Sequence, residues 1–372
     1  MQYKKLKNIC SFMTKSKIKA GEGIENGLYP FFTSSDTKVL SLNTYLFDDE
    51  LIIIGTGGKP SCNYYNGKFA VSTDNFVLKT HQEILPKFLY YFLRKDNLSI
   101  LQKGFHGAGL QHIGKDYLQE IDIPIMNNEE QISIINSLDR ISDLINHKTT
   151  KLKKLEELVK SQFIEMFGDV KTNPKQWENV LIRDIGTLVA GATPSTRELK
   201  YWENGTIPWM SSGEVNKGKI FETDNKITQL GYDNASTKLV PPNTVVVAMA
   251  GQGKTRGTVG ITQIELCTNQ SICSIVNNSR INPWFLLNYL SLQYQELRNI
   301  SNGSGGRGGL NLKIIGSFSI YLPPIELQNK FADFVKHIDK LKFCKIITNL
   351  KNICYNVFDY KYINFQREVK NV

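Results

Sequence analysis

The sequence predicts a mixed α/β (α+β) chain built as two similar globular halves, each closed by a long helix. Apolar residues recur at gaps of three and four over Asn128 to Phe167, and a shorter copy of that pattern ends the chain over Glu326 to Phe358. The segments before the two helices can be laid over each other as short strands, glycine loops and one proline-opened helix. That repetition indicates an internal duplication. Neither half shows the regular strand–helix alternation of a doubly wound sheet.

Taken in order, Tyr29-Pro30-Phe31-Phe32-Thr33-Ser34-Ser35 resembles Ile207-Pro208-Trp209-Met210-Ser211-Ser212-Gly213, an extended segment running into small polar residues. Leu51 to Gly55 resembles Thr244 to Ala248; a short apolar run feeding a glycine-rich loop reads as a buried strand. Ser72 to Asn75 resembles Cys267 to Gln270. Pro86-Lys87-Phe88-Leu89 and Pro283-Trp284-Phe285-Leu286 each open a helix with proline at an early position, where its missing N–H costs nothing. Gly107-Ala108-Gly109-Leu110 then resembles Gly306-Arg307-Gly308-Gly309-Leu310. The spacing between matched segments widens from 178 to 193 to 197 residues, so the second half carries an insertion, mostly between Glu214 and Pro242.

The first helix carries its stripe on Ile134, Ile135, Leu138, Ile141, Leu144, Ile145, Leu152, Leu155, Leu158, Val159 and Phe163. Asn128 reads as its N-cap with Gln131 three residues on, and Gly168 closes it. Such a helix is too long for an ordinary core helix and reads as a spacer or half of a coiled coil. Its stripe needs a partner, and the end of the chain supplies one. At a spacing of 197, Gln131, Ile134, Leu138, Ile141 and Leu144 become Gln328, Phe331, Val335, Ile338 and Leu341. The stripe continues through Ile346, Leu350, Cys354, Val357 and Phe358, where a spacing of 191 fits better, so the second helix is shorter. The domains read as 1–127 globular, 128–168 helical, 169–325 globular and 326–372 helical, with a linker near Gly168 to Trp177.

At 41% apolar residues the chain can bury real cores, and a net charge of +10 with a pI near 9.1 favours a polyanionic partner. Nucleic acid and an acidic membrane surface both fit that charge. No stretch approaches the length of a membrane span, and the basic Met1 to Ser11 has no apolar core of a signal sequence. The expectation is a cytoplasmic protein with no membrane partner. Six scattered cysteines without a C-x-x-C pair read as small core residues rather than disulfides or a zinc site.

Ala248-Met249-Ala250-Gly251-Gln252-Gly253-Lys254-Thr255 is the most tempting catalytic string. A phosphate-cradling loop needs glycine first and a helix directly afterwards, whereas here Ala248 stands first and Gly257 to Thr262 reads as strand. The five histidines show no metal-ligand spacing. His106 and His112 share a glycine loop and read as loop residues, with a DNA contact as the alternative reading. Asn173-Pro174-Lys175-Gln176 lacks the second proline and aromatic of the adenine methyltransferase motif. No nuclease-like pairing of Asp with a downstream Glu-x-Lys stands out either, so the chain reads as non-catalytic, with no catalytic residue, metal or cofactor of its own. What remains are loops suited to nucleic acid: Thr33, Ser34 and Ser35; Lys59; Ser211 and Ser212; Gln252, Lys254 and Arg256; and Arg307. Lysine would anchor on phosphate, and glutamine or arginine could pair bidentately with a purine. Any single one of these loops is equally a turn with solvated charges. Their repetition in both halves favours the functional reading.

Together these strings resemble the specificity subunit of type I restriction–modification systems, over almost the whole chain. The most specific pieces are Ile320-Tyr321-Leu322-Pro323-Pro324-Ile325-Glu326-Leu327-Gln328, the string ending Met166-Phe167-Gly168-Asp169, and Gly191-Ala192-Thr193-Pro194-Ser195 with Trp202 and Trp209. The first 30 residues lack that Gly-Ala-Thr-Pro-Ser opening, and the tail Asp359 to Val372 loses the apolar period. The resemblance implies two target-recognition domains held apart by two long antiparallel helices, each domain reading one half of an interrupted site in double-stranded DNA. It further implies that the helices dock methyltransferase subunits, through Leu138, Ile141, Leu144, Leu155, Leu158, Phe331, Val335 and Ile338, and that restriction subunits join through them. S-adenosylmethionine, ATP and Mg are expected only in those partners. The competing readings are an enzyme with its own NTPase or nuclease activity, and a basic coiled-coil scaffold that binds DNA without sequence preference.

Overall fold

The computed structural model describes residues 2–35, 39–251, 253–302 and 309–341. They divide into two compact units, with the boundary between Thr150 and Lys151 inside the long helix.

In the first unit, the strand Gln2–Lys5 pairs antiparallel with Asp122–Ile125, and a single helical turn, Leu6–Ile9, buries both of its ends. A six-stranded sheet follows, in the order Cys10–Phe12, Asn75–Thr80, Phe47–Gly55, Ser61–Val71, Tyr29–Phe32, Leu40–Leu42. Its central strand is apolar on both faces, because both faces are covered. Ile52 and Ile54 pack with Phe88 and Leu89 of the helix Pro86–Leu93, while Leu51 and Ile53 pack with Phe32, Phe69 and Val71.

The second unit repeats this plan. Glu178–Leu181 pairs with Ser319–Leu322, followed by the turn of helix Ile182–Ile185. Gly186–Ala190, Ile272–Asn277, Val245–Ala248 and Val259–Thr262 lie side by side in that order, with Lys219–Ile220 at the edge. A separate sheet holds Asn225–Ile227, Ile207–Met210, Leu266–Thr268 and Leu239–Val240. The long strand Ser61–Val71 is thus broken here into Val259–Thr262 and Leu266–Thr268, which splits one sheet into two. The parallel pairing Phe31↔Ala70 recurs as Trp209↔Cys267. The insertion expected after Glu214 contains Lys219–Ile220, the helix Gln229–Asp233 and Leu239–Val240.

Backbone bonds correct the string alignment in two places. Ser72 N–H donates to Phe32 O, as Asn269 N–H donates to Met210 O. Ser72 to Asn75 therefore answers to Asn269 to Ile272, two residues beyond the string match; Gly55↔Asn75 and Ala248↔Ile272 agree. Likewise Ile113 N–H donates to Thr56 O and Leu310 N–H to Met249 O, so Leu310 answers to Ile113. Leu110, which the strings had matched, is exposed. Phe12↔Leu78 corresponds to Leu188↔Ile275, so Lys15-Ser16-Lys17-Ile18-Lys19 takes the place of Gly191-Ala192-Thr193-Pro194-Ser195.

The long helix runs over Asn128–Phe167, 40 residues or about 60 Å. Its cap lies one residue earlier than the sequence suggested: Asn127 Oδ1 accepts from Glu130 N–H and Glu130 Oε2 from Asn127 N–H. Gly168 closes it at φ +88°, its N–H reaching Ile164 O. Gln131 is fully buried and clamps the helix start. Its Oε1 accepts from Leu85 N–H, and its Nε2 donates to Glu83 O and Met126 O. Gln328 repeats the clamp on Asn282 N–H, Arg280 O and Pro323 O.

The stripe is not one continuous seam. Ile134 and Leu138 are buried in the core of the first unit, whereas Val159, Phe163 and Phe167 are buried in that of the second. There they join Phe331, Val335 and Ile338 of the helix Ile325–Leu341, with Phe331 5.3 and 5.5 Å from the rings of Phe163 and Phe167. Leu155 packs against that cluster, Ile141 is half-buried, and Leu144 and Leu158 are exposed. The stripe expected from Ile346 to Phe358 lies outside the described residues.

Candidate nucleic-acid interface

In the first unit three loops meet at one end of the sheet. Thr33, Ser34 and Ser35 leave the strand Tyr29–Phe32, and Ser34 O accepts from Ser61 Oγ at 3.1 Å. Gly55 lets them close: a Cβ there would lie 2.9 Å from Ser34 Cα. The loop after Gly55 meets the hairpin that pairs His106 with His112, through Gly58 N–H to Gln111 O and a bridge from Gly57 to His112. Lys59, Ser35, His106, Gln111 and His112 are exposed around this junction. Of these, Gln111 carries no signal in the sequence, because its approach to Gly58 is non-local.

The second unit assembles the equivalent loops. Ser211 precedes a 3-10 turn, Ser212–Lys217, and both its N–H and its hydroxyl donate to the buried Glu214, which also holds Lys217. Hydrogen bonds that Lys217 donates to Asp224 and Glu214 raise its pKa, so this cation is already neutralised within the loop. Asn216 Nδ2 reaches Thr255 Oγ1 at 3.4 Å, joining this turn to the loop that carries Lys254 and Arg256. That loop leads into the strand Val259–Thr262, not a helix, so the geometry of a phosphate-binding NTPase loop is missing.

The loop's carbonyls are pinned from behind. Tyr294 Oη donates to Lys254 O at 2.8 Å, and Arg298 Nη1 donates to Gly253 O at 2.7 Å and Arg256 O at 3.3 Å. Lys254 itself projects into solvent and Arg256 is half-buried. Neither Tyr294 nor Arg298 carries a signal in the sequence. Gln252 and Arg307 lie outside the described residues. Gly191 approaches the backbone of Thr268 so closely that a Cβ would overlap its carbonyl, while Thr193 Oγ1 bonds Gln270 Oε1 at 2.5 Å. The Gly-Ala-Thr-Pro-Ser string is thus a close-packed entry to the same set of loops.

No helix among the described residues is long and apolar enough to cross a membrane. The sequence profile of the type I restriction modification DNA specificity domain matches residues 1–157 and again 174–353. The specificity subunit of the Escherichia coli type I restriction enzyme EcoR124I/EcoR124II is 24% identical over 346 residues, covering 88% of this chain and 83% of that protein. That of MjaIX from Methanocaldococcus jannaschii is 27% identical over 288 residues, covering 73% and 65%. The fold is that of the crystallised S subunit of the M. genitalium type I restriction–modification system. That structure superposes with a TM-score of 0.67 at 16% identity, over 96% of this chain and 94% of that one. With both of its halves matched by one profile, the chain belongs to the family of type I restriction–modification DNA specificity subunits.

Proposed function

We propose that the chain is the DNA sequence-recognition subunit of a type I restriction–modification complex and performs no catalysis itself. Each unit reads one half of an interrupted site in double-stranded DNA through the loops gathered at the strand ends. The observation that carries this reading is the repetition of one loop apparatus in both units. Thr33 to Ser35 with the loop at Lys59 answers to Ser211 and Ser212 with the loop at Lys254. A basic net charge supplies the general attraction to phosphate. Methyltransferase and restriction subunits are the protein partners. Among the described stripe residues, the solvent-facing Leu144, Leu158 and Leu341 are accessible to them, whereas Leu138, Phe331, Val335 and Ile338 are used in the chain's own cores. S-adenosylmethionine, ATP and Mg belong to those partners, and the complex works in the cytoplasm.

The test is the adenine-methylation motif of the genome with and without the gene. Loss of one bipartite motif on deletion is expected. An unchanged methylome, or DNA cleavage or ATP hydrolysis by the purified chain alone, would overturn the reading.

A further inference from the structure

The lysines of the first unit sort by their surroundings. Lys4, Lys5 and Lys7 pair with Glu83, Asp122 and Glu120, and Lys79 and Lys87 pair with Asp49 and Asp139. Lys15, Lys17, Lys19, Lys59, Lys68, Lys103, Lys115 and Lys148 are exposed and have no carboxylate partner among the described residues. Three of these are nevertheless held over rings: Lys68 lies 4.9 Å from the Tyr45 centroid, at the far end of the strand Phe47–Gly55 from the loops, while Lys15 and Lys115 lie beside them. The Lys115 ammonium lies 4.9 Å from the centroid of the Phe12 ring and that of Lys15 lies 5.6 Å from Phe76. Phe12 and Phe76 meet edge-on at 5.8 Å. A cation over an aromatic face is fixed by the ring while its remaining N–H groups stay free for another acceptor.

The device borders the candidate reading loops. Phe76 sits opposite Ile54 in the sheet, next to the Gly55↔Asn75 pair from which the loop of Lys59 leaves. Lys115 follows Ile113 by two residues, and Ile113 is the residue bonded to Thr56. The equivalent positions of the second unit do not repeat it. Phe12 is replaced by Leu188, Phe76 by Cys273, and Lys15 by Gly191, where a side chain would overlap Thr268. Leu312, just after the cap residue Asn311, stands where Lys115 follows its own cap residue, Gly114. Two exposed cations without carboxylate partners, stacked on an aromatic pair beside loops that read bases, fit a negatively charged backbone.

We propose that Lys15 and Lys115, seated on the Phe12–Phe76 pair, grip the DNA backbone of the half-site read by the first unit, and that the other half-site is bound without an equivalent grip. This rests on the DNA-recognition reading above. The test uses the full chain with its methyltransferase partner and the duplex defined by its methylation motif. In the K15A/K115A variant the slope of log affinity against log salt should flatten by roughly 2, about 0.9 for each lost phosphate contact, with the motif unchanged. K15R/K115R should restore the slope, and K4A/K7A should leave it at the wild-type value.

Methylphosphonate linkages, which remove backbone charge, should erase the difference between wild type and K15A/K115A when placed in one half of the site only. An unchanged slope in K15A/K115A, or erasure from either half alike, overturns the grip. A wild-type complex that binds its motif no better than a scrambled duplex overturns the recognition reading itself, and the grip with it.

Discussion

At the scale of single residues, Arg298 does more than its place on a short helix, Tyr294–Asn302, suggests. It is bonded to two carbonyls of the loop carrying Lys254 and Arg256, and it lies over the Tyr294 ring at 5.6 Å. Hydrogen bonds from a charged donor contribute about 1.5–3 kcal/mol when well made. Arg298→Ala should therefore free the loop: amide exchange at Gly253 to Gly257 should rise several-fold while the sheet amides stay protected. Unchanged exchange would mean the loop is held by its glycines alone.

The buried thiols give a second test. Burial pushes Cys10 and Cys273 up to about 12 and Cys267 up to about 11, from an ordinary value of 9.0. Because the thiolate is the reactive form, native Cys10, Cys62, Cys267 and Cys273 should resist Ellman's reagent at pH 8 in a C344S/C354S chain and all react in denaturant. The folded values exceed the unfolded ones, so this burial stabilises the fold below pH 9 and is progressively lost as pH rises toward 11–12. A melting temperature flat from pH 8 to 10.5 would contradict it.

At the scale of elements, the long helix shows what a sequence does and does not disclose. Its extent is legible because an apolar residue every three or four positions has one geometric meaning. Which body each apolar residue packs against is not, since Leu138 and Phe163 carry the same pattern but are buried in different cores. The glycine loops repeat the lesson. Glycine strings match one another at several registers, and only backbone bonds such as Ile113 to Thr56 choose among them. The loops themselves were legible as candidate contacts. Their convergence was not, because Ser34 meets Ser61, and Tyr294 meets Lys254, across long stretches of chain.

The two glutamine clamps join helix to globular domain in a way that composition hides. Gln328→Leu would strip partners from Asn282 N–H, Pro323 O and Arg280 O, at about 1–3 kcal/mol for each group left buried and unpaired. The second unit should lose several degrees of melting temperature, and Gln328→Glu should be no milder above pH ~7, because a carboxylate keeps the acceptor for Asn282 N–H but cannot donate to Arg280 O and Pro323 O. Equal melting of Gln328→Leu and wild type would make the clamp dispensable.

At the scale of the whole chain, the duplication means that residues 1–168 hold one complete globular unit and the entire long helix. In the intact chain the last turns of that helix are buried. Val159, Phe163 and Phe167 pack with Phe285, Phe331 and their neighbours, all of which the fragment lacks. Exposing two phenylalanines and a valine on one stripe costs about 1.5–3 kcal/mol for each side chain, and a two-fold pairing of the fragment with itself removes that exposure, since an isologous interface needs only a self-complementary patch. The fragment 1–168 should therefore be a dimer by light scattering. Phe163→Asp should make it monomeric, with an unchanged circular-dichroism signature for the sheet. A dimer carries two copies of the first unit's loops and none of the second's. Supplied with the methyltransferase, it should modify a palindromic interrupted site made of one native half and its inverted copy. A monomeric wild-type fragment would show that the helix end does not self-pair. A dimer that methylates the native asymmetric site would show instead that the first unit reads both halves, and that reading is not divided between the units.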